Sequence, residues 1–167
     1  MAAGDWHVAQ VNIATLRAPI DSPQLADFVA LLDPINALAD RTPGFVWRLQ
    51  TEDGDATAIR AFPDERIIVN LSVWETVEAL GGFVYASRHL DVLRRRRAWF
   101  EKMATSHLAL WWIPAGTTPT VEQARARLDL LDARGSSPEA FTLREPFPPP
   151  GSDEPVARDE RGLSPAW

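Results

Sequence analysis

The chain has 167 residues, 46% hydrophobic and 24% charged, with a formal net charge of −6 at pH 7. That suits one domain with a sizeable core, and the acidic balance argues against general affinity for nucleic acid or anionic lipid. With no cysteine, no basic-then-apolar leader and no run near 18 apolar residues, disulfides, thiolate sites, a signal peptide and a membrane span are not expected, and a cytoplasmic protein is.

In chain order, Trp6 to Ala14 alternates and carries Val8, Val11 and Ile13, which predicts a strand. Asp21-Ser22-Pro23 is a helix start with Pro at the first helical position, and Leu25, Phe28, Val29, Leu32, Ile35, Leu38 and Ala39 follow at helical spacing. Pro34 predicts a kink or a restart, with Asp33 as cap. Phe45 to Gln50 reads as a second strand. A polar stretch with turn signals follows, and Ile67 to Trp74, rich in β-branched residues, is a third strand. A long helix is expected from about Thr76 to Met103, then a strand over Leu108 to Ile113. A helix over Thr120 to Ala133 follows, with Thr120 and Gln123 at capping-box positions and Gly135 as stop. Phe141 to Arg144 suits a short added strand. The domain is expected to span 1–147, and the Pro-rich, charged residues 148–167 a flexible tail.

The order β-α-β-β-α-β predicts an α+β fold of the ferredoxin-like, split-βαβ kind, with four antiparallel strands and both helices on one face. Little chain is left to cover the other face, so a second copy is the expected cover and the protein is expected to be a homodimer.

Residues two apart on a strand share a face. By this parity Val11, Ile13, Trp47, Val69, Leu71, Val73, Leu110 and Trp112 form an apolar face. Gln10, Asn12, Arg48, Asn70, Trp74, His107 and Trp111 form a mixed polar and aromatic one. The first is expected to pack on the helices. The second suits a ligand cavity, since such cavities have apolar walls and a few placed polar groups; a wet sheet face with structural hydrogen bonds is the alternative.

In the long predicted helix, steps of about 100° per residue bring Tyr85, Ala86, Leu90, Val92, Leu93 and Phe100 to one arc, with His89 and Arg96 inside it. An imidazole and a guanidinium among apolar groups need partners, and a polar-lined pocket would supply them.

The run Ser72-Val73-Trp74-Glu75-Thr76-Val77-Glu78-Ala79-Leu80, with Phe83, Tyr85, Ser87 and His89 after it, resembles the dimeric α+β barrel superfamily, which includes the antibiotic-biosynthesis monooxygenases. More specifically, the chain to about Phe147 resembles the DUF3291 family. The match is carried by Leu32–Ala39, Pro43–Gln50, Val69–Glu75 and Leu110–Gly116. The resemblance implies a ferredoxin-like subunit pairing sheet to sheet. For activity it implies a small-molecule enzyme of the cofactor-independent monooxygenase type, acting on an aromatic or polyketide-like compound. A non-catalytic ligand- or haem-binding dimer, or a cofactor-free isomerase or cyclase, is the alternative on the same fold.

His89 is then the candidate general base, because an unperturbed imidazole titrates near neutrality. Tyr85 could orient it or donate a proton, and Arg96 and Asn70 could hold an enolate or carboxylate oxygen. Gln10, Asn12, Arg48, Trp74, His107 and Trp111 are the candidate substrate-binding residues. The three His, at 7, 89 and 107, have no metal-ligand spacing, so no metal is expected. No cofactor is expected, a haem held by one axial His being the one alternative.

Overall fold

The computed structural model describes residues 3–51, 54, 57, 59–87 and 92–158. In chain order these form β1 (Trp6–Leu16), α1 (Ala26–Arg41), β2 (Phe45–Arg48), β3 (Ile67–Trp74), α2 (Val77–Ser87), α3 (Val92–Trp99), β4 (Phe100–Glu101), β5 (Leu108–Pro114) and α4 (Val121–Arg134). The sheet is antiparallel, with β1 between β3 and β5 and β2 outside β3. The order β5-β1-β3-β2 is the ferredoxin-like one. The two-residue β4 continues the β5 edge, pairing Thr15 with Glu101 and Leu16 with Phe100. None of the described helices is long and apolar enough to cross a membrane.

The α1 helix enters through Pro23, which opens a short 3-10 turn, and runs unbroken through Pro34. Pro34 and Ala30, whose carbonyl loses its helical donor, are both exposed, so water can take that bond. The stripe Phe28, Leu32, Ile35 and Ala39 is buried and keeps the helix on the sheet. Within the long helix predicted over Thr76 to Met103, the described residues form α2 and α3, while Phe100 and Glu101 leave the helix to pair with β1. The predicted helix therefore ends before Met103, and the apolar arc drawn along it loses Phe100. Tyr85, placed on its apolar side, is 45% exposed.

One sheet face carries Val8, Ala14, Ile68, Trp74 and Leu110 and packs under α1, α2 and Trp99 of α3. Gly44, at φ 89°, lets the chain pass close under α2: a Cβ there would stand 2.5 Å from Ala79 Cβ. The opposite face carries Ala9, Val11, Val69, Leu71, Val73 and Trp111, and packs against Ala124, Leu128 and Leu131 of α4 and against Ala61. That face was expected to need a second copy. Here α4 and the segment near Ala61 cover it within one chain, so the reason for a sheet-to-sheet dimer does not hold. With both faces covered, β1 is buried at every position from Val8 to Leu16.

Beyond α4, Phe141 exchanges two backbone hydrogen bonds with Leu110 and so adds a bridge at the β5 edge. Trp112 Nε1 donates to the Phe147 carbonyl at 2.9 Å, and Val156 packs against the Trp74–Leu110 cluster.

Candidate functional site

The polar residues of β1 and β3 gather on the helix-covered face. Gln10 pairs with Ser72, and Asn12 with Asn70. Gln10 Nε2 donates to Asn70 Oδ1 at 2.6 Å and to Ser72 Oγ at 3.0 Å. Trp74 Nε1 also donates to Ser72 Oγ, at 2.9 Å. Two donors thus occupy the lone pairs of one hydroxyl, and the Ser72 proton is left to donate elsewhere. Gln10 Oε1 has no partner among the described residues. A space of about 20 Å³ touches Gln10, Asn70, Ser72 and Trp74 under Leu80, Phe83 and Val84 of α2. That volume holds about one water. Trp74 is fully buried, stacked on Phe83 at 5.1 Å and edge-on to Phe45 at 5.4 Å.

Asn12 stands one pleat further along β1. It is 0% exposed, and neither its Oδ1 nor its Nδ2 has a hydrogen-bond partner among the described residues. A buried amide left unpaired costs about 1–3 kcal/mol, and such groups in a folded chain call for a reason.

One pleat beyond Asn12, at Ala14, a second space opens where β1 changes partner from β5 to β4. It measures about 220 Å³ and is lined by Ile13, Ala14, Arg96, Phe100, Glu101, Lys102, Met103 and His107. Burial pushes the Arg96 guanidinium below its ordinary pKa, and among the described residues no carboxylate or carbonyl is bonded to it. His107 is pushed below the ordinary imidazole value, first by burial and then by the Arg96 charge, against a bond to the Thr105 backbone.

Sequence parity thus gathers Gln10, Asn12, Asn70 and Trp74 as expected. It does not bring Trp111 to them. β5 pairs Trp112, not Trp111, with Val8, so Trp111 lies on the α4 face, under the Arg127 guanidinium at 6.0 Å. Arg48 shares the Ser72 face, but its guanidinium is engaged by Asp40 at 2.8 Å and by the Gly54 carbonyl. Arg96 and His107 form a separate pair. His89 lies outside the described residues. Ser72, the acceptor of the network, was not among the sequence candidates; its place between two apolar residues opposite Gln10 was the available signal.

The model of the Domain of unknown function (DUF3291) family matches residues 7–157. The chain belongs to the DUF3291 family. No curated protein matches it. Among solved structures, a variant of SnoaB, a cofactor-independent oxygenase from Streptomyces nogalater, is 21% identical, covering 67% of this chain and 95% of its own, with a TM-score of 0.41. NE2512 from Nitrosomonas europaea, a protein of unknown function, is 10% identical, covering 70% and 96%, with a TM-score of 0.42. Likenesses at these values say nothing about individual residues.

In this DUF3291 domain the Asn12 amide and the Ser72 hydroxyl proton, unbonded among the described residues, face a helix-covered layer. Donors fixed in a buried layer can stabilise an oxyanion without reorganising at the moment of reaction. No group of three His, Asp or Glu with metal-binding geometry occurs among the described residues.

Proposed function

We propose that this chain is a small-molecule enzyme of the cofactor-independent oxygenase type. The observation that carries the reading is Asn12: a fully buried amide, unbonded among the described residues, beside a network otherwise built to hold polar groups. In such chemistry a base removes an acidic C–H or phenolic proton, amide and hydroxyl donors hold the resulting enolate oxygen, and the carbanion reacts directly with O₂. Asn12, with Asn70 and Ser72 beside it, would hold the oxygen, and Trp74 would form the aromatic wall. The sequence supports His89 as the base, with Tyr85 near it in the chain.

The space of about 20 Å³ at Ser72 is too small for an aromatic substrate, so binding requires α2 to shift from the sheet. This reading needs no second copy, since both sheet faces are covered in one chain. Light scattering at micromolar concentration is expected to give the 18.6 kDa of one chain; twice that mass would mean that copies pair through another surface.

The test is oxygen uptake by the purified protein with a panel of phenols and 1,3-diketones. Uptake that falls 10²- to 10⁴-fold in His89→Ala, and strongly in Asn12→Leu with the fold retained, supports the reading. Uptake that both variants leave unchanged refutes it. No uptake across the panel, together with thermal stabilisation by the same compounds, would favour the non-catalytic ligand-binding alternative. An absorption spectrum settles the haem variant of that alternative.

A further inference from the structure

The second space, at the gap between β4 and β5, has its own chemistry. β1 is paired to β5 up to Asn12 and to β4 from Thr15. Residues 102–106 loop out between these pairings, the His107 carbonyl already accepting from Ile13 N at 2.9 Å, and the gap they leave is lined by Ile13 and Ala14. Three groups that carry or can carry positive charge line it: Arg96, Lys102 and His107. The one acid there, Glu101, is already paired with Arg66, Oε1 to Nη1 at 3.0 Å. Arg96 is half-buried with no acid bonded to it among the described residues. A guanidinium partly withdrawn from water and left without an anion is costly, and its planar fork matches a carboxylate. The remaining walls, Ile13, Ala14, Phe100 and Met103, are apolar.

We propose that this gap is a binding site for a small organic carboxylate, its carboxylate held by Arg96 and His107 and its apolar body by Ile13, Ala14, Phe100 and Met103. The volume, about 220 Å³, lies below the roughly 300 Å³ at which sites for drug-sized ligands begin. The site therefore takes a small acid. His107 already spends one ring N–H on the Thr105 backbone, so its other nitrogen can donate to the carboxylate only when protonated. Binding therefore takes up a proton, in the field of Arg96, Lys102 and Glu101. The apolar walls separate this ligand from inorganic phosphate, which would leave them wet. The inference goes beyond the oxygenase reading, because this space shares no lining residue with the one at Ser72. It is tested by binding alone, so turnover can fail while binding holds, and the reverse.

The experiment titrates the full chain with benzoate, benzyl alcohol and inorganic phosphate by calorimetry and by NMR of the imidazole C–H signals, the His107 signal being the one lost in His107→Gln. Benzoate is expected to bind at least tenfold more tightly than either other probe. Its affinity should fall at least tenfold in Arg96→Gln, and it should raise the apparent pKa of His107. Benzoate binding no better than benzyl alcohol, or equal binding in Arg96→Gln, would overturn the proposal, as would phosphate binding more tightly. If Arg96→Gln does not fold, the wild-type His107 titration decides alone: a pKa that benzoate leaves unmoved refutes the site.

Discussion

Asn12 and Asn70 stand directly opposite one another on β1 and β3, yet their amides differ in state. Asn70 Oδ1 accepts from Gln10 Nε2 at 2.6 Å, while both polar atoms of Asn12 are unbonded among the described residues. Removing an unsatisfied buried amide relieves its desolvation cost. Asn12→Leu, nearly equal in volume, is expected to stabilise the fold by about 1–2 kcal/mol while harming turnover. Urea unfolding measures it; a lower midpoint would show that Asn12 has a structural partner.

Ser72 behaves in the opposite way. It accepts from both Gln10 and the buried Trp74, so Ser72→Ala strands two donors. A loss of about 1–3 kcal/mol is expected, seen in thermal unfolding as about 2–4 °C per kcal/mol for a chain of this size. An unchanged midpoint would mean that water replaces the hydroxyl.

His107 makes stability depend on pH. Its folded pKa lies below the ordinary 6.5 because burial and the Arg96 charge disfavour the imidazolium. Below 6.5 the unfolded chain therefore takes up a proton that the folded chain refuses, so stability from this group is present above 6.5 and is lost as pH falls through the folded value. The melting temperature of the wild type should fall more between pH 7.5 and 5.5 than that of His107→Gln. Equal falls would refute the coupling.

Much of this fold was legible because local chemistry and tertiary need agreed. The Thr120–Gln123 capping box, predicted from spacing, forms with both bonds present. β3 follows its run of β-branched residues over the predicted span. Elsewhere tertiary pairing decided: apolar residues occur on both faces of the sheet, so alternation could not say which face β5 gives to which helix. Trp111 was misassigned for this reason. The stretch after Ser87 has helical periodicity, but strand pairing with Thr15 and Leu16 takes Phe100 and Glu101 out of it. The 220 Å³ space was invisible because it depends on where β1 changes partners.

Gly44→Ala tests the contact under α2. A residue with Cβ is strained at φ 89° and would press on Ala79, and overpacking of this kind costs about 1–3 kcal/mol. Ala79→Gly in the same chain should recover part of the loss in a double-mutant cycle; purely additive effects would place the strain in the backbone alone.

We propose that residues 1–147 fold without the rest of the chain. A chain ending at Phe147 keeps the Trp112–Phe147 bond and loses the packing of Val156. A fall of a few degrees in melting temperature is expected relative to a chain ending at Arg158, from about 1 kcal/mol of apolar contact. A fall beyond 10 °C, or loss of cooperative unfolding, would move the boundary past Val156.

The burial of β1 on both sides has a cost in information. In a strand with one wet face, a slip of one residue throws its apolar set into water, and that penalty fixes the register. From Val8 to Leu16 no position is wet, so a slip would merely exchange one oily layer for another. What penalises it is the polar set. Slipped by one, Gln10 and Asn12 would be driven among Ala124, Leu128 and Leu131, where the cluster offers only apolar side chains. Asn12, proposed to hold a substrate oxygen, is thus also, with Gln10, a mark by which the central strand finds its place. A variant with Gln10, Asn12 and Asn70 all replaced by leucine would lose that address along with any activity.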